Sequence, residues 1–71
     1  MKEIIEGIVR NFSKKGIDVD YKYLTTKNEV EFYVHGKKSI IIDISKFDTI
    51  YDFVKKCNDA IEGVIGNYDN N

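Results

Sequence analysis

Two strictly alternating runs, 17-IDVDYKYL-24 and 29-EVEFYVH-35, stand four residues apart. Successive side chains of a strand point to opposite faces. Ile17, Val19, Tyr21 and Tyr23 therefore share one face of the first run, and Asp18, Asp20 and Lys22 the other. In the second run Val30, Phe32 and Val34 share the apolar face. The intervening TTKN is turn chemistry. A four-residue loop at 25–28 pairs Leu24 with Glu29, Tyr23 with Val30, Tyr21 with Phe32 and Val19 with Val34, so all six inner residues agree in facing. A hairpin apolar on one side is only marginally stable alone and needs a cover.

The third strand is 38-KSIIIDI-44, after a turn around Gly36. A two-residue loop would aim Lys37, Ser39, Ile41 and Asp43 at the core. A three-residue loop, 35-HGK-37, aims Ile40, Ile42 and Ile44 there instead and leaves Ile41 on the open face. The second arrangement makes the better core and is the expected one.

Helical periodicity flanks these strands. Ile4, Ile5, Ile8, Val9 and Phe12 form one face of a helix over 2–15, with Gly16 at its C-terminal cap. A second helix begins between Ser45 and Thr49, where SKFD and TIYD both offer capping oxygens. Its stripe is Ile50, Phe53, Val54, Cys57, Ala60, Ile61, Val64 and Ile65, with Phe47 leading in and Gly66 ending it. The expected fold is α+β, in the order α-β-β-β-α: a three-stranded antiparallel meander sheet with both helices packed on one face. It forms one domain over 1–66, and 67–71 reads as a disordered polar tail.

Composition excludes several classes. Charged residues make up 32% and the net charge is −1, which lacks the basic balance of a dedicated nucleic-acid binder. No run approaches the apolar length of a membrane span, and MKEIIEGIVRNF carries glutamates where a signal peptide would be apolar. The single cysteine, Cys57, points to a reducing, cytoplasmic setting. No ligand spacing for a metal and no Gly-rich phosphate loop is present, so neither metal nor cofactor is expected.

On the open face the register gathers Asp18, Asp20, Lys22 and Leu24, then Glu29, Glu31, Tyr33 and His35, then Ser39, Ile41 and Asp43. Five carboxylates face one lysine there, in a chain that is nearly neutral overall. One reading is a solvated sheet face with Lys22 paired to Glu31. The other is a partner-binding face, with Tyr33 and Ile41 as anchors inside a rim of Asp18, Asp20, Glu29, Glu31 and Asp43. Such a face suits a protein partner with a basic surface. The apolar strand 39–44 is also an edge at which a second copy could pair.

Two further classes are weighed. Lys14, Lys15, Lys37, Lys38, Lys55 and Lys56 could contact phosphates if the fold gathered them. His35, with Asp18 opposite, is the one residue suited to acid–base work near neutral pH. No nucleophile set accompanies it, so the expectation is a non-catalytic domain.

The element order resembles the double-stranded RNA-binding domain, a resemblance that implies a nucleic-acid-binding module. That family uses a loop histidine and a lysine cluster at the start of its second helix, where this chain has TTKN and SKFDTIYDF. The order also resembles the HicA-type ribonuclease toxins, which would imply a catalytic histidine; this chain carries VHG at 34–36 in place of their Gly-Ser-His. In size, element order and charge placement it is similar to small phage- or plasmid-encoded inhibitors, including some anti-CRISPR proteins. That likeness implies an acidic face occupying the nucleic-acid site of a host protein.

Overall fold

The computed structural model describes residues 1–69. Helix α1 (Lys2–Lys14) leads to strands β1 (Val19–Leu24), β2 (Glu29–Val34) and β3 (Lys37–Asp43). A single 3-10 turn (Ile44–Lys46) and helix α2 (Ile50–Asp69) follow. The sheet is antiparallel in the order β1-β2-β3, and both helices pack against it, as the α-β-β-β-α pattern predicts.

Each element ends for an identifiable reason. At the end of α1 the Gly16 N–H donates to the Ser13 carbonyl and the Ile17 N–H to the Phe12 carbonyl. This is the paired closure that requires a left-handed residue after the helix, and Gly16 supplies it at φ +80°. Between β1 and β2 the turn of TTKN closes with Asn28 at φ +52°, a conformation asparagine tolerates. Of the two capping segments before α2, the second is used: the Thr49 Oγ1 accepts from the Asp52 N–H at 3.1 Å. Helix α2 then runs through Gly66 to Asp69, beyond the end expected at Gly66. Gly66 is not among the residues at positive φ, so it stays helical at a cost of about 1 kcal/mol relative to alanine. Residues 70 and 71 of the expected polar tail lie outside the described residues.

The β1–β2 register is the one alternation dictates, from Val19 opposite Val34 to Leu24 opposite Glu29. The β2–β3 register corrects the expected loop. Val34 pairs with Lys37, so the turn holds only two residues, His35 and Gly36, at φ +56° and +81°. Positive φ at both positions is the tight hairpin turn whose twist matches the strands. A regular ladder from this turn would aim Ile40, Ile42 and Ile44 at solvent. Turning out Ile42 and Ile44 alone would forfeit roughly 1.5–3 kcal/mol each. A bulge prevents it: Tyr33 pairs with Lys38 but Phe32 with Ile40, so Ser39 is the extra residue. The Ser39 hydroxyl donates back to the Lys37 carbonyl at 2.9 Å. The inward facing of Ile40, Ile42 and Ile44 is thus as expected, but the odd residue sits in the strand and not in the turn.

The core forms where the helices meet the inner sheet face. Ile5, Ile8 and Phe12 from α1 and Phe53, Cys57 and Ile61 from α2 are buried against Val30, Phe32 and Val34. Phe47 packs edge-to-face on Phe53, with ring centroids 5.9 Å apart. The Tyr21 hydroxyl donates to Glu6 at 3.1 Å and ties β1 to α1. Ile50, expected on the buried stripe, is 55% exposed at the start of α2. It lies in the first turn of the helix, and Phe53 is the first residue of α2 to enter the core. Among the described residues no helix is long and apolar enough to cross a membrane.

Candidate functional site

The open face of the sheet is laid out in cross-strand rows. Asp20, Tyr33 and Lys38 form one; Lys22, Glu31 and Ile41 the next; Leu24, Glu29 and Asp43 the third. Asp18 lies beyond the first row, where its carbonyl accepts the His35 N–H at 2.8 Å. The sheet therefore brings the expected residues Asp18, Asp20, Glu29, Glu31, Tyr33, Ile41 and Asp43 onto one surface.

Glu31 is the hub of that surface. Its side chain is only 12% exposed. The Tyr33 hydroxyl donates to Oε1 at 2.7 Å, and the Lys38 ammonium lies 3.5 Å from Oε2. The tyrosine bond is the main reason its carboxyl is held below the ordinary glutamate value, with partial burial opposing and the Lys38 charge assisting. The same bond pushes the Tyr33 phenol up. Lys22, the expected partner, stands opposite Glu31 in the ladder, but the ion pair is made by Lys38. The two-residue turn accounts for this: it sets Lys38 opposite Tyr33, where the expected three-residue turn would have set Ser39. Lys38 is the surface residue that alternation alone misses. A Gly at the second position of a two-residue turn was the available signal.

The remaining acids divide by role. Asp43 accepts the Ser45 N–H at 3.0 Å and the Ser45 hydroxyl at 2.6 Å, which caps the 3-10 turn. These bonds hold its carboxyl below the ordinary aspartate value. Asp20 accepts the Tyr21 N–H at 2.9 Å. Asp18 and Asp20 are exposed, and Glu29 is half-buried. With Lys38 included, five carboxylates share the surface with two lysines, less acidic than expected but still negative. Ile41 is 53% exposed at the β3 end of the middle row. It lines a groove of about 340 Å³ together with Glu29, Asp43, Lys46, Phe47 and Lys56.

The lysines come from three different elements. Lys14 and Lys15 follow the end of α1, with the Lys15 ammonium 5.4 Å above the Phe12 ring. Lys37 and Lys38 open β3, and Lys38 is engaged by Glu31. Lys55 and Lys56 line two different clefts on α2. Lys14, Lys15, Lys37 and Lys38 line neither of these clefts. His35 occupies an exposed turn position. Cys57 is wholly buried, and burial pushes its thiol up to about 12, so it is not a thiolate at neutral pH.

Comparison with protein-family models, with curated proteins and with solved structures finds no match to this chain.

Proposed function

We propose that this chain is a non-catalytic protein-binding domain that engages a basic partner through the open face of its sheet. The observation that carries the reading is Ile41, a large apolar residue left 53% exposed beside Glu31, Tyr33 and the Glu29–Asp43 row. An exposed apolar anchor within a charged rim has the composition of a small interface centre. The rim's negative sign selects a positively charged partner. The nucleic-acid groove of another protein is a surface of that kind, and a small inhibitor of a nucleic-acid-handling protein in the cytoplasm is the role that fits. The dispersed lysines favour this over direct phosphate binding. The buried thiol and the structural placement of His35 in a turn favour it over catalysis.

The test is a tagged capture from lysate, with and without nuclease, read by mass spectrometry. Wild type is compared with a variant carrying Asp18→Lys and Glu29→Lys. These two acids are chosen because Asp20, Glu31 and Asp43 hold the Tyr21 N–H, Tyr33 and Ser45 in place. The expected result is a nuclease-resistant protein partner lost in the double variant. A partner retained equally by the variant would exclude this face. A catch lost on nuclease treatment would favour nucleic-acid binding through Lys14, Lys15, Lys37, Lys38, Lys55 and Lys56.

A further inference from the structure

The two edges of the sheet differ. On β1 the Tyr21 N–H faces outward and is already taken by the Asp20 carboxylate. On β3, no backbone hydrogen bond from outside the sheet reaches residues 40–43 among the described residues. A strand edge with open backbone groups and apolar side chains is a pairing template unless something guards it.

The direction of those groups follows from the ladder. In antiparallel sheets, opposed residues alternate between hydrogen-bonded and non-bonded pairs. The His35 N–H points to Asp18, so odd-numbered residues of β2 face β1 and even-numbered ones face β3. The Ile44 N–H bonded to the Asn28 carbonyl agrees. Ile40 and Ile42, opposite Phe32 and Val30, are therefore the bonded partners of β2. The N–H and carbonyl of Ile41, between them, point away from the sheet.

We propose that β3 is the seam of a homodimer, in which the β3 strands of two copies pair antiparallel about a two-fold axis at Ile41. In this register the two Ile41 residues exchange a pair of backbone hydrogen bonds and bring their side chains together on the open face. Ile40 of each copy meets Ile42 of the other on the core side, which covers the half-buried Ile40. Parity permits the register, because core-facing residues meet core-facing residues. Charge favours a second copy as the occupant. The strand begins with Lys37 and Lys38 and ends with Asp43, so antiparallel self-pairing sets the lysine end of each copy beside the aspartate of the other, twice. Within the strand this register pairs residues 39–43, a seam of about 17 Å, short for a stable dimer, so the association is weak and concentration-dependent.

Sedimentation equilibrium of the full chain, from about 10 μM to about 1 mM, tests this over the range of weak affinities. The mass should rise twofold from 8.2 kDa with concentration. Ile41→Lys and Ile41→Asp each oppose like charges at the axis and should stay monomeric while keeping the wild-type circular dichroism. An equimolar mixture of the two should regain the twofold mass, because opposite charges then meet. Wild type that remains monomeric throughout overturns the proposal. So does an Ile41→Lys variant that dimerises like wild type, or a mixture that does not.

Discussion

Deleting Ser39 should leave the fold intact and raise its stability. The structure assigns this residue to the bulge, where it lets a two-residue turn coexist with inward Ile40, Ile42 and Ile44. Without it, Lys37, Lys38 and Ile40 would pair with Val34, Tyr33 and Phe32 in an unbroken ladder, each side chain on its present face. Ordering one residue fewer saves about 1–2 kcal/mol of backbone entropy. The loss is one exposed hydrogen bond, from the Ser39 hydroxyl to the Lys37 carbonyl, worth about 0.5 kcal/mol. The net gain is about 0.5–1.5 kcal/mol, and in a domain of this size each kcal/mol moves the melting temperature by about 4–8 °C. Urea unfolding followed by circular dichroism measures it, with the slope of the transition as a check that compactness is unchanged. The alternative, in which the odd residue is needed for the turn, makes the opposite prediction. A two-residue turn would then be strained, and the isoleucines would rotate outward. A deletion variant that loses more than about 1.5 kcal/mol, or melts without cooperativity, refutes the assignment.

Two other outcomes follow from single side chains. The Glu31 carboxyl is held below 4.5 when folded, so its contribution is fully present above that value and fades as pH falls through the lower, folded one. Urea midpoints at pH 7 and pH 3 should therefore differ less in Glu31→Gln than in wild type, and an equal difference would exclude Glu31 as an acid-sensitive contact. His35 sits at φ +56° in the first position of a turn that prefers asparagine followed by glycine. His35→Asn should raise the melting temperature by a few degrees, about 0.5 kcal/mol on the scale of turn optimisation, while partner capture is unchanged. Loss of capture in a variant that folds well would give the histidine a functional role.

Much of this architecture was legible because alternation and helical periodicity are local. The facing of Val19, Tyr21, Val30, Phe32 and Val34, and the pairing of β1 with β2, follow directly from the order of the residues. What parity cannot resolve is the location of an odd residue. A three-residue turn and a two-residue turn with a bulge place Ile40, Ile42 and Ile44 identically, and they differ in where Lys37, Lys38 and Ser39 go. That difference decides which lysine neutralises Glu31, so alternation alone makes the surface more acidic than it is. Helix ends are set by weak local preferences, which explains Gly66: a glycine stops a helix only where the chain turns left-handed, as at Gly16 and not at Gly66. The exposure of Ile50 was hidden for a related reason, since a periodic stripe does not reveal which turn of the helix first meets the core.

The bond between the Asp20 carboxylate and the Tyr21 N–H has a consequence for how far any assembly can grow. A sheet with two adhesive edges adds copies without limit, and its product is a fibre. Here the carboxylate occupies the central outward N–H of the β1 edge, so a molecule that joins through the other edge presents a partly blocked one outward. That bias favours a pair over a growing chain of copies. Removing this one carboxylate, as in Asp20→Ala, would weaken the bias by freeing that N–H.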